Sequence, residues 1–123
     1  MATEEPCPIS DSMDFFNRKW ILCILMDMFR GKKRFKEFKE SNPTISNYIL
    51  SQTLKYMEEK GLVSKIIENS RSRYELTPKG LKTNRILYEL TIFSLDELEC
   101  CKLSETKKEE LFKDYKNSLG IGD

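Results

Sequence analysis

Residues 35–61 read FKEFKESNPTISNYILSQTLKYMEEKG, and the fold turns on this stretch. Phe35 and Phe38, three apart, give a short helix one apolar edge, closing near Ser41. Asn42, Pro43 and Thr44 make a turn, and Ser46 is placed to cap a second helix that runs to about Lys60 and stops at Gly61. The spacing predicts helix, turn, helix. The second helix divides by face, with Ile49, Leu50, Thr53, Leu54 and Met57 on one side and Asn47, Tyr48, Ser51, Gln52 and Lys55 on the other. Together with Ser46, that outward stripe suits base edges. Asparagine and glutamine offer paired donors and acceptors to adenine, serine bonds either partner, tyrosine touches a thymine methyl or a phosphate, and lysine meets guanine or phosphate. No carboxylate interrupts it before Glu58. A solvated helix face carries the same residue types, so the flanking elements decide between the two readings.

Upstream, the apolar run from Trp20 to Met26 continues to Met28 and Phe29, far short of the roughly 20 residues a membrane span needs. Its apolar groups fall on every side of a helical projection, which predicts a helix surrounded by others, with Cys23 in the core and Gly31 as the stop. Ser10, Met13, Phe15 and Phe16 suggest a short amphipathic helix ahead of it, ending near Asn17. After Gly31, Lys32, Lys33, Arg34 and Lys36 are the candidate phosphate contacts.

Downstream, Leu62 to Ile67 and Arg73 to Thr77 read as two strands of a hairpin whose tip carries Arg71 and Arg73, suited to a minor groove or a backbone phosphate. Thr77 and Pro78 then start another helix with two apolar stripes. Ile86, Leu87, Leu90 and Phe93 form one, expected to pack on the domain; Leu81, Tyr88, Ile92 and Leu95 form the other, expected to meet a second copy of the chain. A last amphipathic segment from Ser104 to about Ser118, with Leu111, Phe112, Tyr115 and Leu119, is placed to cover that surface before Gly120 ends it. The expected class is α+β, mainly helical: a winged helix-turn-helix with a two-stranded wing and dimerisation helices at both ends. The expected organisation is one DNA-binding domain over 1–95 and a helical extension over 96–123.

Composition narrows the function. The 123 residues carry 21 Lys and Arg against 20 Asp and Glu, a net charge of only +1. Residues 17–85, however, hold 16 basic and 7 acidic side chains, a local balance of +9 between acidic flanks. Phosphate affinity follows local charge, so the basic middle favours a nucleic-acid partner over the alternative of a winged helix that binds only protein. Histidine is absent, which removes His-dependent triads, His metal ligands and the usual general base near neutral pH. Cys7, Cys23, Cys100 and Cys101 lack paired C-x-x-C spacing, so no zinc site is expected, and no cofactor, small-molecule ligand or enzymatic activity is indicated. A peroxidatic thiol at Cys7 ranks third among the functional readings. The acidic N-terminus has no apolar signal core, and the expected location is the cytoplasm, with reduced thiols.

Several phrases in order resemble the HxlR-type transcriptional regulators, relatives of the MarR group. They are Cys7-Pro8, Lys19-Trp20, Arg34-Phe35-Lys36-Glu37-Phe38, Ile45-Ser46, Leu50-Ser51-Gln52-Thr53-Leu54, Glu58-Glu59-Lys60-Gly61-Leu62-Val63 and Tyr74-Glu75-Leu76-Thr77-Pro78-Lys79-Gly80. The resemblance runs from Cys7 to Leu95. Asn17 and Arg18 precede the Lys-Trp pair where the family commonly has glycine, and the hairpin lacks the prolines often found near its tip. What the resemblance implies is a homodimer joined through its N-terminal and post-wing helices, repressing or activating from a palindromic operator whose half-sites lie about 34 Å apart. It also implies a candidate redox or electrophile sensor at Cys7, the cysteine beside a proline. Cys100 and Cys101 are left without a role.

Overall fold

A computed structural model describes residues 5–98 and 103–122. Its elements are α1 (Pro8–Phe15), α2 (Lys19–Phe29), α3 (Phe35–Ser41), α4 (Asn47–Glu59), β1 (Val63–Glu68), β2 (Arg71–Leu76), α5 (Pro78–Leu81), α6 (Asn84–Glu97) and α7 (Glu105–Ser118). The core forms where the periodic stripes of the helices meet. Ile21, Ile24, Leu25 and Met28 of α2 are buried, as are Leu50, Leu54 and Met57 of α4, with Phe38 of α3 fully enclosed. Leu62 and Val63 lead the chain out of this core into the wing.

The wing is an antiparallel pair in which Val63 faces Leu76 and Glu68 faces Arg71. Asn69 and Ser70, with φ of 52° and 62°, make the two-residue turn, both left-handed as the right-handed twist of a tight hairpin requires. The free edge of β2 is fastened to the domain, since the Tyr74 amide donates to the Lys33 carbonyl at 2.8 Å. The Tyr74 ring lies 6.2 Å from the Phe38 ring, so the wing root belongs to the core.

Three expectations need correcting. The helix after the wing is not continuous: α5 ends at Leu81 and α6 begins at Asn84. Gly80 sits against the Leu62 carbonyl, and Thr83 Oγ1 donates to the Gly80 carbonyl at 2.7 Å, a local bond that takes the acceptor helical continuation would use. The break changes which stripe faces out. Leu95 is only 5% exposed and Tyr88 and Ile92 are half-buried, whereas Leu90 and Phe93 are 48% and 56% exposed, together with Ile86 and Leu81. The open apolar face of α6 is therefore Ile86, Leu90 and Phe93, and of the expected dimer set only Leu81 stands free. Cys23 is the third correction. It is exposed, because α2 buries one stripe and turns Leu22, Cys23 and Met26 towards a groove.

The last helix locks onto the domain. Ser104 caps α7 by accepting from the Lys107 amide, and Arg30, at the C-cap of α2, reaches Asp114 at 3.1 Å and lies over the Tyr115 ring at 4.6 Å. Asn84 Nδ2 donates to the Leu119 carbonyl at 3.0 Å, and the Leu119 side chain is buried in the main core. Cys100 and Cys101 lie outside the described residues.

At Gly80 a Cβ would stand 2.1 Å from the Leu62 oxygen, a backbone atom that cannot step aside. Gly80→Ala is expected to cost about 1–3 kcal/mol through overpacking, read as a lower Tm or denaturant midpoint, and an unchanged midpoint would contradict this packing.

Candidate nucleic-acid interface

The burial of Leu50, Thr53, Leu54 and Met57 fixes the rotation of α4, and the other side of the helix follows from it. Ser46 closes the N-terminus by accepting from the Ile49 amide at 3.1 Å, and Thr53 Oγ1 satisfies itself on the Ile49 carbonyl at 2.8 Å. Asn47, Tyr48, Ser51 and Lys55 are exposed, Tyr48 at 70%, and Gln52 is half-buried. Ile49, expected on the inner face, is 42% exposed and extends the outward ridge with an apolar contact next to Tyr48. A β-branched residue one step from the boundary of a helical stripe reads as core from spacing alone.

The turn ahead of this ridge is braced from two sides. Asn42 Nδ2 donates to Asp27 Oδ2 and to the Phe38 carbonyl, each at 2.9 Å. Lys39 Nζ donates to the carbonyls of Pro43, at 3.2 Å, and Ile45. Sequence reasoning missed Lys39 as a bracing residue. A lysine four and six positions before two turn carbonyls is the only signal available, and it looks like an ordinary surface charge.

The basic stretch from the loop before α3 into its first turn divides into exposed and engaged cations. Lys33 and Lys36 are exposed. Lys32 donates to Ser41 Oγ, and Arg34 Nη1 donates to the Ser72 carbonyl at 3.0 Å. Arginine has five N–H donors, so one bond to the wing leaves its outer donors available while holding loop and wing together. Glu37 Oε1 accepts from the amides of Lys33, at 2.9 Å, and Arg34, at 3.0 Å. These backbone bonds hold the Glu37 carboxyl below its ordinary 4.5.

Arg71 is exposed beside the wing turn, as expected. Arg73 is not at the tip, which Asn69 and Ser70 occupy. It lies two residues further along β2, opposite Ile66, pairs with Glu68 and Glu75, the latter at 3.2 Å, and its side chain is 23% exposed. The ladder brings Glu68 across from β1, and Glu75 lies two residues along the same strand on the same face, so the Arg73 charge is offset within the wing.

Cys7 is exposed at the N-cap position of α1, with Pro8 in the first turn. No residue of α1 is buried, and the helix is held by its end: the Tyr56 hydroxyl of α4 donates to the Phe15 carbonyl at 2.7 Å. Arg18 stacks 4.9 Å from the Tyr56 ring and Lys79 lies 4.7 Å from the Phe15 ring. Among the described residues no cluster of ligating side chains could hold a metal ion, and no helix is long and apolar enough to cross a membrane.

Three-helix core, helix-turn-helix and fastened two-stranded hairpin define a winged helix-turn-helix protein. The sequence matches the HxlR-like helix-turn-helix family over residues 15–100, and the chain belongs to that family. It is 31% identical over 111 residues to the HTH-type transcriptional regulator YodB of Bacillus subtilis, covering 85% of this chain and 94% of YodB. It is 29% identical over 103 residues to YvaP of the same organism, another HTH-type transcriptional regulator, covering 80% and 95%. Among solved structures, the redox regulator HypR in its reduced form aligns with a TM-score of 0.71 at 25% identity over 76% of this chain and 96% of HypR. Reduced YodB aligns with a TM-score of 0.61 at 28% identity over 77% of this chain and 97% of YodB, and YodB is also known diamide-treated and quinone-bound.

Because the folded Glu37 carboxyl titrates below its unfolded value, its contribution to stability is complete above the ordinary 4.5 and is lost as pH falls through the lower folded value. The stability gap between wild type and Glu37→Gln, followed by thermal melts across the acid range, should be widest above that ordinary value and close below the folded one; a gap independent of pH would refute the assignment.

Proposed function

We propose that this protein is a transcriptional regulator that binds double-stranded DNA sequence-specifically, as a homodimer on a palindromic operator in the cytoplasm, by binding rather than enzymatic chemistry. The observation that carries the reading is the exposed polar ridge of α4, free of carboxylates from Asn47 to Tyr56, beside the exposed Lys33 and Lys36. Ser46, Asn47, Tyr48, Ser51, Gln52 and Lys55 read the major groove, with Ile49 adding an apolar contact to a thymine methyl. Lys33 and Lys36 meet phosphates, Lys32 and Arg34 do so with the donors their internal bonds leave over, and Arg71 serves the wing. The second copy joins through Ile86, Leu90 and Phe93 of α6 with Leu81, and through Ile9 and Met13 of α1, apolar residues whose exposure supports a partner face.

Cys7 is the reactive thiol in this reading, adding to an electrophile such as a quinone. Its signal passes down α1 to the Phe15 carbonyl and through the Tyr56 hydroxyl into α4. The existence of YodB in a quinone-bound form supports this choice of probe.

Operator selection from random duplexes should return two half-sites one helical turn apart. On that operator, Gln52→Ala should change preference at one base pair by about 1–3 kcal/mol, while Arg71→Ala weakens every sequence and lowers the salt slope by about 1. Uniform loss from Gln52→Ala would remove its reading role, and binding indifferent to salt would favour the protein-only alternative. With p-benzoquinone added, anisotropy should show wild type releasing or tightening on DNA, Cys7→Ser unresponsive, and Tyr56→Phe binding normally but responding less. A full response in Cys7→Ser would remove the thiol from the mechanism.

A further inference from the structure

The groove onto which Cys23 opens has three walls: α2 contributes Leu22 and Met26, α6 contributes Leu87 and Leu95, and α7 contributes Leu111 and Tyr115. The third wall, α7, begins at Glu105, beyond residues 15–100 that match the family. The cavity measures about 620 Å³, inside the range of roughly 300–1,000 Å³ typical of small-molecule sites.

Its polar lining comes from Asp27, Arg30, Asn42, Thr91 and Ser94, of which Asp27 and Arg30 are ionisable. Asp27 lines it beside Asn42, and one oxygen, Oδ2, accepts from Asn42 Nδ2. A carboxylate accepts several hydrogen bonds through its two oxygens, so Asp27 keeps acceptor capacity that Asn42 does not use. Burial raises the Asp27 carboxyl above its usual range despite Asn42, Lys32 and Arg30, which act the other way. Arg30, the one cation among the described residues lining the groove, is turned to α7, paired with Asp114 and stacked on Tyr115. An anionic guest would face Asp27 with that cation already engaged. A neutral guest with a donor would find apolar walls and a strong acceptor.

We propose that the groove between α2, α6 and α7 binds a small apolar molecule carrying an N–H or O–H donor, with Asp27 as the acceptor and the α7 side chains as its outer wall. The site does not depend on what α4 reads. A second copy of the chain is the competing occupant, since Leu90 borders both the groove and the open face of α6.

The probe is N-phenyl-1-naphthylamine, an apolar aromatic amine with one N–H that fluoresces on leaving water. Titrated into the full chain, it should give saturable one-to-one enhancement with the same affinity at low and high protein concentration. Leu111→Trp from the α7 side and Thr91→Phe from the α6 side should each abolish saturation, with circular dichroism confirming the fold. In competition, 1-naphthylamine should displace the probe about tenfold better than naphthalene, the worth of one hydrogen bond to a charged acceptor. That preference should shrink in Asp27→Asn, whose single carbonyl oxygen Asn42 already claims; this measurement stands even if a filling variant unfolds. Absence of saturation, or equal displacement by naphthalene, would overturn the proposal. Affinity that falls as protein concentration rises would overturn it in favour of the partner copy.

Discussion

Leu50, Leu54 and Met57 of α4 leave water in the same core as Ile21, Ile24 and Leu25 of α2, and this burial holds α4 at one rotation about its axis. Each such side chain contributes about 1.5–3 kcal/mol on burial, so turning the helix by one residue, about 100°, would forfeit several of these terms together. No polar residue on the outer face needs an internal partner to stay where it is. Asn47, Tyr48, Ser51 and Lys55 are displayed because the opposite side is held, which leaves them free to be chosen for what they contact.

The same economy of fixing runs through the elements around α4. The turn before it is braced by Asn42 and Lys39, the loop before α3 is held by Glu37, and the wing is tied to that loop through Lys33 and Arg34. A displacement of the wing is therefore a displacement of the basic loop. At the other end, α1 has no buried side chain; Phe15 packs against the core from its last position, and the Phe15 carbonyl accepts from the Tyr56 hydroxyl of α4. A weakly held helix whose last turn meets the core and α4 is suited to carrying a local chemical event into the centre of the domain.

Features written in local spacing were legible in the sequence. The Ser46 cap, the stop at Gly61, the i, i+3 pair of Phe35 and Phe38 and the buried face of α4 all depend on residues within a turn or two of each other. What was not legible depends on distant contacts. Gly80 has no room for a side chain because the Leu62 carbonyl lies against it, and nothing near Gly80 announces that neighbour. α2 is apolar on all sides, so its periodicity could not say that Cys23 faces a groove. Arg73 reads as a free cation until the strand pairing brings Glu68 across from β1 to it. In the candidate site, the type of residue on α4 was readable, whereas the engagement of Lys32, Arg34 and Lys39 was not, since each bonds across a turn or to another element.

Leu119, far beyond the helix-turn-helix in sequence, fills a place in the core that α2 and α4 share, with its carbonyl held by Asn84. During synthesis that place stays vacant until residue 119 has cleared the ribosome, after the helix-turn-helix and the wing have already emerged. Until then α4 rests on an incompletely filled interior, and the arrival of Leu119 completes the scaffold beneath it.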